Sequence, residues 1–97
     1  MSYRKGYSFE RRVKRTLERK GYFVVRSAGS KFPDLIALDK NGKAYIIECK
    51  VNRRSFTKQE LNTLKALAEK YNCTPLIFYR RGLKLKMESL GKNTVLK

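Results

Sequence analysis

Asp34, Glu48 and Lys50 have the residue types and spacing to do chemistry. The stretch DLIALDKNGKAYIIECK reads as two apolar strands around a turn, with Asp34 opening the first and Glu48 and Lys50 inside the second. An acid in a sheet interior costs free energy unless it is paired or binds a metal. Two carboxylates with a backbone carbonyl would form an oxygen-rich pocket suited to Mg²⁺ or Mn²⁺. A metal held there can polarise a phosphate and generate hydroxide, and a neighbouring lysine can orient the water or stabilise charge on phosphorus. The chain contains no histidine, which excludes histidine acid–base catalysis and His-ligated zinc. The plain alternative is an ordinary Asp–Lys or Glu–Lys pair across strands, and E-x-K alone is a common pattern.

The elements that must position these residues follow from periodicity. Residues 5–20 read as a helix with Tyr7, Phe9, Val13 and Leu17 on one face and Arg11, Arg12, Arg15 and Arg19 opposite. Gly21 is placed to end it. Glu10 falls on the apolar side, between Leu17 and Tyr7, either as a boundary residue paired with a lysine or as a third inward acid. YFVVRS at 22–27 is a strand, AGSKFP a loop, and 34–38 a second strand. Residues 43–51 form a third strand that alternates. Tyr45, Ile47, Cys49 and Val51 take the apolar face, while Ala44, Ile46, Glu48 and Lys50 take the other. A second helix over 57–72 opens with a capping box at Thr57 and Glu60 and carries Leu61, Leu64, Leu67, Ala68 and Tyr71 as its apolar stripe. TPLIFY is a fourth strand, and LKLKM is a candidate fifth.

The turn between the second and third strands decides whether the acids meet. A two-residue Asn41-Gly42 loop would pair Lys40 with Lys43 and turn Asp34 toward the core. A three-residue loop, Lys40-Asn41-Gly42 with Gly42 left-handed, would pair Asp39 with Lys43 and set Asp34 opposite Glu48. A one-residue slip inverts the face, so the cost of burying Asp34 favours the three-residue loop.

Composition narrows the partners. Ninety-seven residues make one small domain, expected to span 1–97. Twenty-four basic residues against eight acidic ones give a formal charge of +16. A field of that size destabilises the compact state unless a polyanion neutralises it, and nucleic acid is the natural candidate. Thermal adaptation through ion pairs would require acids that are missing, and an anionic membrane is a weaker option. No run is apolar enough to span a bilayer, so no membrane partner is expected. Cys49 and Cys73 are isolated and read as reduced thiols of an intracellular protein.

Pro33-Asp34 followed by Glu48-Cys49-Lys50 resembles the PD-(D/E)xK nuclease superfamily. RKG at Arg4–Gly6, Glu10, VVRSAGSK at 24–31 and PDLIAL resemble, more closely, the archaeal-type Holliday junction resolvases. The resemblance runs from about Arg4 to near Tyr79. The order of elements, αβββαβ, already suggests a single compact α/β domain with a central mixed β-sheet flanked by helices, and the resemblance implies a restriction-endonuclease-like core. It also implies a homodimeric, Mg²⁺-dependent endonuclease, with Mn²⁺ as a substitute, that nicks four-way DNA junctions in paired fashion.

Under that resemblance, Glu10, Asp34 and Glu48 match metal-binding acids and Lys50 the catalytic lysine. Arg26 matches an arginine important for activity, and Ser30 a serine of the mobile loop. Alone, these two would read as a solvated strand end and a plain turn. Arg4, Lys5, Arg11, Arg12, Lys31 and Gln59 make the expected DNA-binding set, and Leu67 and Tyr71 the dimer-interface candidates. The chain is shorter than typical cellular members, and Cys49 stands where an aliphatic residue or Met is usual.

Three functions remain open from the sequence. The first is a junction-resolving endonuclease, and the second another nicking or repair nuclease of the superfamily. The third is a non-catalytic nucleic-acid-binding module. A pure binder has no use for three acids facing a phosphate backbone, which weighs against the third.

Overall fold

A computed structural model describes residues 2–30 and 32–91, with side chains described for 7–29 and 32–91. The elements run α1 (Ser2–Arg19), β1 (Phe23–Arg26), β2 (Leu35–Leu38), β3 (Ala44–Asn52), α2 (Lys58–Lys70), β4 (Thr74–Arg81) and β5 (Lys84–Ser89). Short 3-10 turns cover Ala28–Ser30 and Arg53–Ser55. The order is therefore αβββαββ, and LKLKM does form a fifth strand beyond the expected αβββαβ frame. No helix among the described residues is long and apolar enough to cross a membrane.

One five-stranded sheet holds the strands in sequence order. The pairs β1–β2, β2–β3 and β4–β5 are antiparallel, and β3–β4 is parallel. Parallel neighbours need a crossover, and α2 supplies it. Phe9, Val13 and Leu17 of α1 pack with Val24, Leu35, Ala37, Ile47, Leu76 and Phe78. Leu64 and Ala68 of α2 pack with Ile46, Phe56, Ile77 and Tyr79. Because neighbouring residues of a strand face opposite ways, the two helices cover opposite faces. The face bearing Glu48 and Lys50 thus carries its own core under α2.

Two residues of the expected apolar faces lie elsewhere. Tyr7 is 40 % exposed, and its ring stacks 4.5 Å from the Arg26 guanidinium instead of joining the core. Tyr71 is 63 % exposed just beyond the last residue of α2. Helical periodicity assigns a direction around the axis, but Tyr71 lies past the last turn of α2, and Tyr7 meets Arg26 at the end of β1.

The β2–β3 register is the three-residue form. Leu35 faces Ile47 and Leu38 faces Ala44, so the ladder continued outward sets Asp39 against Lys43 and Asp34 against Glu48. Gly42 has φ +84° and donates its N–H to the Asp39 carbonyl at 3.0 Å. The Asp39 side chain supplies what the Asn-Gly pair alone does not show. Its Oδ1 accepts the N–H groups of Asn41 and Lys43, each at 2.9 Å. These bonds brace the longer loop and hold the Asp39 carboxyl below its ordinary range, chiefly through the Lys43 N–H.

Candidate active site

The site forms where β2 begins. At that point β3 runs past the end of β2, so on that side the ladder stops and side chains take over its main-chain bonds. The Asp34 N–H donates to Glu48 Oε1 at 2.9 Å, and the Cys49 N–H donates to Asp34 Oδ2 at 2.8 Å. Each carboxylate thus accepts a main-chain N–H from the opposite segment, which locks the pair face to face. The β3–β4 ladder also shifts register between Cys49 and Asn52, immediately after Glu48. Such irregularities commonly re-aim side chains beside active sites.

Glu48 is 8 % exposed, and it is the only buried charged residue among those described. Burial first, and then the charge of Asp34, push its carboxyl up to about 8. Glu10 reaches the same place from α1. Its carboxyl is also raised, by burial and then by Asp34, against an opposing Arg26. Arg26 Nε lies 3.3 Å from Glu10 Oε1, while the Tyr7 ring lies over the Arg26 guanidinium. Burial and the neighbouring acids Asp34, Glu10 and Glu48 likewise push the Cys49 thiol well up. Burial of this kind disfavours the reactive thiolate.

Oxygen donors alone suit a hard cation such as Mg²⁺ or Mn²⁺. The raised carboxyls carry the test of fit: crowded acids resist ionising together unless a cation joins them. The described residues hold no closed cluster of three or more ligating side chains. Asp34 and Glu48 form the pair, and Glu10 stands against Asp34 while held by Arg26. Mg²⁺ needs no closed cluster, because it is ordinarily held by one or two carboxylates, waters and substrate phosphate. The residues present therefore fit the metal.

Lys50 shares the face of Glu48 but pairs elsewhere. Its Nζ lies 3.2 Å from Glu60 Oε2, at the start of α2, and its pull on Glu48 is weaker than burial and the charge of Asp34. The intervening chain is pinned by Arg53, whose Nε and Nη2 donate to the two oxygens of Glu88 at 3.0 and 3.2 Å. The Tyr79 hydroxyl donates to the same carboxylate at 2.7 Å. The chain offered no local signal for Tyr7, Glu60 or the Arg53–Glu88 pair as parts of this neighbourhood.

The expected DNA-binding residues divide. Arg11 is exposed, with its guanidinium 5.6 Å from the Tyr7 ring. Arg12 donates from Nη2 to the Leu83 carbonyl at 2.9 Å and so ties α1 to the β4–β5 turn. Gln59 is exposed in the first turn of α2, beside Glu60. Lys31 and the side chains of Arg4, Lys5 and Ser30 lie outside the described residues. Leu67 packs against the core under α2.

With this geometry in view, the similarities to known proteins are specific. The family model of the archaeal Holliday junction resolvase (Hjc) matches residues 1–93. A crossover junction endodeoxyribonuclease Hjc of Methanocaldococcus jannaschii is 42 % identical over 78 residues, covering 77 % of this chain and 58 % of that protein. The chain thus matches little more than half the length of that relative. The solved structure of Archaeoglobus fulgidus Hjc, a Holliday junction resolvase, superposes with a TM-score of 0.74 at 21 % identity. That match covers 88 % of this chain and 72 % of the other, and it shows the fold. A family match across nearly the whole chain agrees with the paired acids at the start of β2 and with the sheet that holds them, and this chain belongs to the archaeal Holliday junction resolvase (Hjc) family.

Proposed function

We propose that this protein is a Mg²⁺-dependent endodeoxyribonuclease that resolves four-way DNA junctions by symmetric paired nicking. The observation that carries this reading is the Asp34–Glu48 pair, two locked carboxylates with Glu10 beside them and raised protonation. Asp34 and Glu48 would hold Mg²⁺ or Mn²⁺, with Glu10 acting through or beside Asp34. When bound, the ion supplies an activated water and neutralises charge on the scissile phosphate. Lys50 presents its ammonium to that phosphate from the same face. Arg26 holds Glu10 in place and adds positive charge at the mouth of the site. The net charge of +16 supplies the attraction to a DNA backbone. Arg4, Lys5, Arg11, Lys31 and Gln59 are the candidate contacts, and Ser30 a loop residue at the cleavage site. The setting is inside the cell, where the DNA is.

A four-way junction is two-fold symmetric, so one site per chain suits a C2 homodimer. Two exposed apolar features support that assembly. Tyr71 projects beyond α2. Phe23, Val25, Ile36 and Leu38 are exposed as two facing pairs on β1 and β2, on the sheet face whose β3–β4 part α2 covers. An uncharged cluster of this kind on so basic a chain is a place where two copies can approach without direct repulsion.

The test is incubation with a synthetic four-way junction, and separately with its duplex arms, with and without Mg²⁺. Symmetric nicks near the branch point, only with metal and only on the junction, are expected. Equal cutting of linear duplex would assign the chain to the general nicking and repair nucleases of the superfamily. Tight binding without cleavage in any divalent metal would assign it to non-catalytic binding.

A further inference from the structure

Glu60 divides its two oxygens between two tasks. Oε1 accepts the Thr57 N–H at 2.9 Å, and the Glu60 N–H in turn donates to Thr57 Oγ1 at 3.0 Å, closing the capping box of α2. Oε2 faces Lys50 Nζ at 3.2 Å. The Thr57 N–H, and next Lys50, hold the Glu60 carboxyl below its ordinary range. Both side chains are about a third exposed, and pairs of that kind add little to stability. Stability therefore does not account for the contact.

The position of the ammonium does. Lysine is a strongly hydrated charge on a flexible four-carbon stem, free to swing into solvent or to fold onto a nearby carboxylate. Asp34 and Glu48 stand face to face across the β2–β3 ladder, with Glu48 on the same face of β3 as Lys50. An ammonium settled between them would occupy the place of a divalent cation. A carboxylate fixed on the rim of α2 gives Lys50 another partner and holds it beside the acids without filling their pocket. Glu60 is itself fixed, because its other oxygen is bound to backbone and the preceding turn is anchored through Arg53 to Glu88.

We propose that Glu60 is a positioning residue for the reaction: it holds the Lys50 ammonium at the edge of the Asp34–Glu48 pair, ready to meet the scissile phosphate, and so joins the helix cap to the active site. The inference rests on the nuclease reading above.

The experiment compares Glu60→Gln, Thr57→Ala and Lys50→Ala on a synthetic four-way junction with Mg²⁺, under single-turnover conditions with saturating protein. Glutamine can still make the capping box, so Glu60→Gln is expected to melt near the wild-type temperature. Its cleavage rate should fall on the order of tenfold to a hundredfold, the scale of a misplaced catalytic group. Its junction affinity should stay level or tighten, since a negative charge is lost. Thr57→Ala weakens the cap from the other side and leaves the Lys50–Glu60 pair. It should lower the melting temperature and keep the wild-type rate where folded. A wild-type rate for Glu60→Gln beside an inactive Lys50→Ala would overturn the proposal. Equal rate losses in Thr57→Ala and Glu60→Gln would overturn it too, because the cap would then be the cause. A fully active Lys50→Ala would overturn the inference alone, because Lys50 would then have no catalytic place to be held in, whereas a wild-type protein that cuts no junction would remove the nuclease reading and this inference with it.

Discussion

Asp34 and Glu48 meet across the start of the β2–β3 ladder, where Glu48 Oε1 accepts the main-chain N–H of Asp34 at 2.9 Å. The acids are thus held by backbone groups, and their amide counterparts can accept the same bonds. Function and fold can therefore be separated by isosteric substitution at this pair.

Asp34→Asn and Glu48→Gln should each abolish Mg²⁺-dependent cleavage while leaving the protein folded, with metal-free Glu48→Gln melting at or above wild type near neutral pH. Junction binding should persist or tighten, because each change removes negative charge that would face phosphate. Glu10→Gln should behave similarly, and Lys50→Ala should stop cleavage with a smaller change in binding. Near wild-type rates in both Asp34→Asn and Glu48→Gln would show that the metal is held elsewhere.

Stability should depend on pH through Glu48. The folded carboxyl sits at about 8 against an ordinary value of 4.5. Between those values the folded chain binds a proton that the unfolded chain has released. The stability from this group is complete below about pH 4.5 and is lost as pH rises toward about 8. Thermal melts of the metal-free protein should show that decline, and Glu48→Gln should flatten it. Saturating Mg²⁺ favours the ionised pair, so its stabilising shift should be larger near the top of this window than at the bottom. Parallel pH curves for wild type and Glu48→Gln would leave the carboxyl unperturbed.

Gly42 is open to a purely conformational test. A Cβ there would meet nothing within 4 Å, yet φ is +84°. Gly42→Val should cost roughly 1 kcal/mol or more in urea unfolding, because β-branched residues avoid positive φ. An unchanged midpoint would mean that the loop relaxes into another turn without loss.

DNA binding should weaken steeply with salt. A chain with a charge of +16 should neutralise several phosphates, so log K against log [salt] should have a slope of roughly −5 or steeper. Arg11→Ala should make the slope shallower. Arg12→Ala should act mainly on stability, since Arg12 already donates to the Leu83 carbonyl.

Sedimentation at micromolar concentration should show a homodimer. Tyr71→Glu should weaken it, as should Val25→Lys on the open face of β1. Both variants should lose paired nicking before they lose single nicks. Monomeric wild type that cuts duplex as readily as junctions would favour the general-nuclease reading.

What the chain by itself determined was the side on which each residue lies. Alternation in β3 put Glu48 and Lys50 on one face, and helical spacing put Glu10 on the apolar side of α1. The cost of burying Asp34 selected the three-residue loop that brings it to Glu48. These are local facts, because strand and helix periods are properties of a few consecutive residues. Tertiary structure alone decided the partners. Lys50 meets Glu60 because a turn and a crossover helix carry the chain back beside β3. Arg53 and Glu88 are 35 residues apart and meet only through the order of strands in the sheet. Tyr7 stacks on Arg26 because α1 packs beside β1, and the β1–β2 face stays open because α2 packs over β3 and β4. Periodicity says which way a side chain points, and the packing of whole elements decides what it meets there.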